Sequence, residues 1–64
     1  MENYNRVEKE IWAIYYFLND KLHRTDGPAI KYYSGYKKWF YEGKRIKCNS
    51  QKEFERIIKL KSFW

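Results

Sequence analysis

The sequence predicts an α+β domain: a small antiparallel β-meander of four or five strands packed by one C-terminal α-helix. Three observations carry that expectation. Between residues 11 and 48, short runs of β-branched and aromatic residues alternate with turn formers. The stretch Ser50-Gln51-Lys52-Glu53 matches a capping box and opens an amphipathic segment over 50–62. A pattern of two aromatics, an apolar residue, a polar residue, a turn residue and lysine occurs twice, as Tyr16 to Lys21 and as Trp39 to Lys44.

Each element follows in order. Residues 1–10 are polar and read as a frayed start, which places the meander at 11–48. Ile11 to Leu18 has strand content and strand length. Val7, Ile11, Ile14, Tyr15 and Leu18 also fall at helical spacing, so residues 7–18 stay open between the two. Asn19-Asp20 supplies a two-residue turn, because both residues tolerate positive φ. Lys21 to Arg24 returns, and Asp26-Gly27-Pro28 breaks the strand. Ala29 to Tyr33 resumes it, Ser34-Gly35 turns, and Lys37 to Tyr41 returns. Glu42-Gly43 turns again before Lys44 to Cys48. In the tail, Phe54, Ile57, Ile58 and Trp64 share a helical face with Leu60 at its edge, while Glu55, Arg56 and Lys59 lie opposite. Strand alternation puts Trp12, Ile14, Tyr16, Leu18, Ile30, Tyr32, Trp39, Tyr41, Ile46 and Cys48 on the core face under that helix.

Sixty-four residues form one domain with a marginal core, since such a chain buries only about 60% of its unfolded surface. Three Trp, seven Tyr and four Phe offset this with large buried area at low entropy cost. Cys48 is the single cysteine, which excludes a disulfide framework and fits a reducing compartment. Met1 to Arg6 lacks an apolar signal region. The longest apolar run, Ile11 to Leu18, is far short of the roughly 20 residues needed to cross a bilayer. The expectation is a soluble chain of the cytoplasm with no membrane partner.

The run Leu22-His23-Arg24-Thr25-Asp26-Gly27-Pro28-Ala29, followed by Ser34-Gly35, Lys38-Trp39-Phe40 and Gly43-Lys44, resembles a short repeat of bacteriophage and giant-virus proteins, L-H-R-x-D-G-P-A…D-G…W-Y-x-N-G-K. That repeat is loosely similar to MORN β-hairpin modules. The resemblance covers about residues 12–47. It implies a hairpin meander and a viral origin, in which case the cytoplasm is that of the host, and it implies no activity. This chain carries one H-R-x-D-G-P-A copy; the second site reads Arg45-Ile46-Lys47-Cys48-Asn49. The chain looks like a minimal, capped version rather than an array.

Enzyme chemistry finds little support. His23 is the sole histidine and Asp26 lies near it, but no nucleophile is positioned to complete a catalytic set. His23, Arg24, Asp26, Gly27 and Pro28 read instead as a structural turn. One His and one Cys make no metal set, and three glycines make no phosphate loop. No cofactor is expected.

The formal charge of +6 points to an acidic partner, although it also lies within the range that serves solubility alone. The expected partner-binding residues are Lys31, Tyr33, Tyr36, Lys37, Lys38, Arg45 and Lys47. Lys31, Tyr33, Lys38, Phe40, Arg45 and Lys47 are expected together on the face away from the core. Lysines between exposed rings suit an acidic or mixed protein surface or single-stranded nucleic acid. The first reading is a small phage-type binding protein, not an enzyme, that inhibits a host protein such as a CRISPR-type defence effector stoichiometrically. The alternative is a basic aromatic nucleic-acid-binding module. An exposed sheet edge could also pair two copies of the chain.

Overall fold

Two tight hairpins set the layout. Asn19 and Asp20 have φ of 51° and 67°, and Glu42 and Gly43 have φ of 50° and 85°. Positive φ at both central residues is the type I′ signature, whose twist matches that of the flanking strands. The two turns stand at equivalent places in the internal repeat.

The structure is a computed structural model and describes residues 3–60. Its elements are β1 (Arg6–Lys9), β2 (Ala13–Leu18), β3 (Lys21–Leu22), β4 (Ile30–Tyr32), β5 (Lys37–Tyr41), β6 (Lys44–Ile46) and α1 (Gln51–Leu60). The strands are antiparallel in the order β1-β2-β4-β5-β6, with β3 also paired to β2. The expected α+β meander with a C-terminal helix is what forms. Residues 7–18, open between helix and strand in the sequence, form β1, a turn and β2.

β3 and β4 are two parts of one interrupted strand. Phe17 faces Leu22 and Tyr15 faces Ile30, so two steps along β2 correspond to eight along its partner, six more than a regular ladder. Between them, Tyr16 bonds both ends of the interruption. Its N–H donates to the Ala29 carbonyl at 2.8 Å, and its carbonyl accepts from the His23 N–H at 3.0 Å. Residues 24–28 are thereby looped out of the sheet. The loop is held from within: Arg24 Nε donates to Asp26 Oδ1 at 2.8 Å, Arg24 Nη1 to the Pro28 carbonyl at 3.4 Å, and the guanidinium lies 4.0 Å from the centre of the Tyr16 ring. The Thr25 N–H and hydroxyl both donate to Asn3 Oδ1, at 2.6 and 2.9 Å.

The helix is capped as its sequence predicts. Ser50 Oγ accepts the Glu53 N–H at 3.2 Å. The Glu53 carboxylate reaches back one residue further than a standard box and accepts the Asn49 N–H at 2.6 Å. Phe54 is fully buried and joins Trp39, Tyr41 and Ile46, with Cys48, Ile57 and Ile58 packed around them. Gln51 ties three parts together. Its Oε1 accepts from Trp39 Nε1 at 2.8 Å, while its Nε2 donates to the Thr25 carbonyl and to Glu55 Oε2, each at 2.9 Å. Trp64, expected on the same helical face, lies outside the described residues, as do positions 61–62 of the expected 50–62 helix.

Three expectations are corrected. The meander begins at Arg6, not at residue 11, and residues 6–9 are a strand rather than a frayed start. As an edge strand exposed along its length, β1 has no buried face to impose alternation on its sequence. Trp12 is 59% exposed and outside the core, because it precedes β2 in the loop from β1. Ile30 and Tyr32 do not share a face with Trp39 and Tyr41. The β4–β5 loop holds three residues, Tyr33 to Gly35, closed by the Tyr32 N–H to Tyr36 carbonyl bond at 2.9 Å. A two-residue Ser34-Gly35 turn would have set Ile30 opposite Trp39; the added Tyr33 sets it opposite Lys38. A one-residue slip exchanges the faces of every residue after it.

Gly27 is required by the loop rather than by its own backbone angles. A Cβ there would stand 2.7 Å from Arg24 Cζ, a guanidinium already held by Asp26, Pro28 and Tyr16. Gly27→Ala is expected to destabilise the domain by about 1–3 kcal/mol in urea denaturation, the usual cost of overpacking. The Arg24→Ala/Gly27→Ala double variant should lose less than the sum of the single losses, because the residues share one contact.

Candidate interaction surface

Cross-strand partners share a face of the sheet, so the register locates every expected site residue. Lys9 faces Ile14, Ile14 faces Lys31, and Lys31 faces Lys37. Three lysines therefore lie in one row across four strands. None has a carboxylate within ion-pair distance among the described residues. Lys31 and Lys37 stand directly opposite one another, an arrangement that costs stability in an isolated sheet.

Lys38 and Arg45 lie on the other face. Lys38 aligns with Ile30, and Arg45 with Phe40, two residues after Lys38 on β5. The expectation that Lys31, Lys38 and Arg45 share a face is therefore corrected, for the reason already given: Tyr33 enters the loop and turns Lys31 to the opposite side. The β5–β6 ladder stops at the Trp39–Ile46 pair. There a cleft of about 320 Å³ opens, with Lys38, Arg45 and Lys47 around Cys48, Asn49 and Glu53. The structure thus brings Lys38, Arg45 and Lys47 to one site and Lys31 and Lys37 to another.

Tyr33 and Tyr36 are exposed as expected, at 61% and 77%. They share one end of the sheet with Ile11 and Trp12. The Tyr33 N–H donates to the Trp12 carbonyl at 3.0 Å, which joins the β4–β5 loop to the β1–β2 loop. Ile11 is 88% exposed. Beside Trp12 runs a shallow groove of about 310 Å³, lined by Glu8, Glu10, Trp12, Tyr15 and Phe17. Trp12 Nε1 donates to the Tyr15 hydroxyl at 3.3 Å across it. Sequence reasoning missed Ile11 and Trp12. The signal was Glu10-Ile11-Trp12 between two strand-like runs, which reads as an apolar loop tip once residues 6–9 are recognised as a strand.

His23 is 1% exposed. Its Nδ1 accepts the Glu42 N–H at 2.9 Å, so the ring proton of the neutral form resides on Nε2, which has no partner among the described residues. Burial lowers the His23 pKa, and the nearby Glu42 charge opposes that only in part. Cys48 is pushed up by burial and by Glu53, which disfavours the nucleophilic thiolate. Asp26 is lowered by its hydrogen bonds to Asn3 and Arg24. His23 holds one end of the looped-out segment, and Arg24, Asp26, Gly27 and Pro28 form and brace it. Among the described residues no cluster of His, Cys, Asp or Glu could hold a metal, and no helix is long and apolar enough to cross a membrane.

Comparison of the chain with protein-family models, with curated proteins and with solved structures finds no match. The surface itself therefore carries the functional argument.

A buried neutral histidine links stability to pH. Unfolding exposes an imidazole that titrates near pH 6.5, whereas the folded form resists protonation to lower pH. The stability it confers is present above about pH 6.5 and is lost as pH falls from there through the depressed folded value. Urea midpoints measured between pH 7.5 and 5 should decrease for the wild type, and the decrease should be smaller for His23→Gln. Asp26 adds a further loss only at more acidic pH, below the ordinary carboxylate range.

Proposed function

We propose that this protein is a non-enzymatic binding module that engages a protein partner bearing an acidic patch beside an apolar recess. One observation carries the reading: the Lys9–Lys31–Lys37 row, without an ion-pair partner among the described residues, lies in register beside the end of the sheet where Trp12, Tyr33 and Tyr36 are exposed. Aromatic side chains on loops are common anchors in interfaces. A like-charged cross-strand pair, unfavourable in the free protein, becomes favourable against an anionic surface. The raised Cys48 pKa and the structural placement of His23 are consistent with binding in place of turnover. The repeat resemblance adds a setting, that of a phage-type protein acting in the host cytoplasm as a stoichiometric inhibitor of a host protein such as a CRISPR-type defence effector. That step is one of analogy.

A second reading is nucleic-acid binding, and the cleft that gathers Lys38, Arg45 and Lys47 favours it. The cations, however, fall in two groups on opposite faces of the sheet. A single phosphate track favours a continuous groove instead.

The two readings separate by experiment. Tagged wild-type protein is used to capture partners from bacterial lysate treated with nuclease. Trp12→Ser/Tyr36→Ser and Lys31→Glu/Lys37→Glu variants are run beside it. Loss of one defined protein band in both variants, with their thermal unfolding unchanged, is the expected result. A band retained by both variants would overturn the assignment of this surface. Salt-sensitive binding of labelled single-stranded DNA that is lost on Lys38→Glu/Arg45→Glu would support the second reading.

A further inference from the structure

We infer that β1 is a self-pairing edge through which two copies of this chain form an antiparallel dimer, with Val7 on the two-fold axis. The inference is independent of the partner proposed above.

The hydrogen-bond phase of β1 determines the register. The Glu10 N–H donates to the Ala13 carbonyl at 2.8 Å, in line with the Glu8–Tyr15 and Arg6–Phe17 pairs. Ladder bonds alternate along an antiparallel strand. The backbone groups of Arg6, Glu8 and Glu10 therefore point toward β2, and those of Val7 and Lys9 point outward. Among the described residues no strand is paired to that outer edge.

A second β1 can meet this edge only where outward groups face outward groups. Centring on Val7 satisfies that condition: Val7 exchanges both backbone bonds with Val7 of the second copy, and Arg6 then stands opposite the second copy's Glu8. Pairs of the latter kind are the non-hydrogen-bonded ones, where cross-strand side chains come closest. By symmetry Glu8 stands opposite the second copy's Arg6. Within one chain Arg6 Nε already lies 3.6 Å from Glu8 Oε2, so pairing completes a square of alternating charge. Val7, 41% exposed, is covered by its counterpart. Centring on Lys9 would instead oppose two lysines.

The other edge lacks this property. β6 reads Lys44-Arg45-Ile46, and centring a second copy on Arg45 opposes like charges. Charge of one sign is a common way to blunt a sheet edge; β6 has it and β1 does not. The dimer joins the two sheets through their β1 edges and leaves the two aromatic ends pointing in opposite directions.

Sedimentation equilibrium of the chain at up to about 1 mM, a range that detects weak association, should show a monomer–dimer equilibrium. Arg6→Glu alone and Glu8→Arg alone should each raise the dissociation constant at least about tenfold, since each places two like-charged pairs across the axis. An equimolar mixture of the two variants should dimerise again. In the mixed dimer the two substituted positions carry opposite charges and face each other, and the native Glu8 of one variant faces the native Arg6 of the other. Val7→Pro removes an outward N–H without touching the β1–β2 ladder and should give a folded monomer. Circular dichroism of each variant establishes that it folds. A wild type that stays monomeric throughout would overturn the proposal. So would a dimer unaffected by Val7→Pro, or single variants that fold but do not associate when mixed.

Discussion

The backbone of Tyr16 is the point on which the sheet depends. Its N–H and carbonyl hold the two ends of a five-residue excursion, Ala29 and His23, side by side. This makes two fragments, Lys21–Leu22 and Ile30–Tyr32, act as one strand beside β2. β5 uses the same composite strand, since Lys38 faces Ile30 and the Arg24 N–H donates to the Phe40 carbonyl at 3.4 Å. Because Tyr16 pairs with both His23 and Ala29, the ladder is offset by six residues, an even number, so residues before and after the excursion stay on their proper faces. Arg24 closes it from inside, Asn3 from the chain start and Gln51 from the helix. The segment is thus fixed by hydrogen bonds and by one cation stacked on a ring.

From this arrangement the two ends of the sheet acquire different characters. The type I′ turns lie together at one end, where the Gly43 N–H donates to the Leu22 carbonyl at 2.8 Å. They are short, polar and determined by backbone geometry. At the other end the connections are longer and carry Ile11, Trp12, Tyr33 and Tyr36 into solvent. The core is concentrated beneath the helix, on Trp39, Tyr41, Ile46 and Phe54. A domain this small has few large rings to spare, and leaving several of them exposed is a cost that binding would offset.

Much of this architecture was legible in the sequence, and the reasons are local. Asn19-Asp20 and Glu42-Gly43 announce positive φ, Ser50 and Glu53 announce a helix start, and Asp26-Gly27-Pro28 announces a break. What the sequence concealed was register. Nothing local distinguishes a two-residue Ser34-Gly35 turn from a three-residue loop that includes Tyr33, yet that one residue decides whether Lys31 shares a face with Lys38 or with Lys37. Edge strands are concealed for a related reason. Arg6 to Lys9 buries neither face, so no alternation marks it. The aromatic end followed from that omission, because Trp12 looks like a core residue only while β1 goes unrecognised.

The internal repeat ends differently in its two copies. After the first hairpin the chain enters the Arg24–Pro28 excursion and goes on to build more sheet. After the second, Ile46 takes the place of His23 and is likewise buried, but the chain then turns into the Asn49–Ser50 cap and α1. The helix lies over the face formed by the last hairpin and is latched to Trp39 through Gln51. In effect α1 gives the second copy of the motif the cover that the first lacks: Phe54 fills the space over Trp39, Tyr41 and Ile46. The two edge strands consequently differ: β6 belongs to the hairpin whose face the helix covers, whereas β1 is exposed along its length.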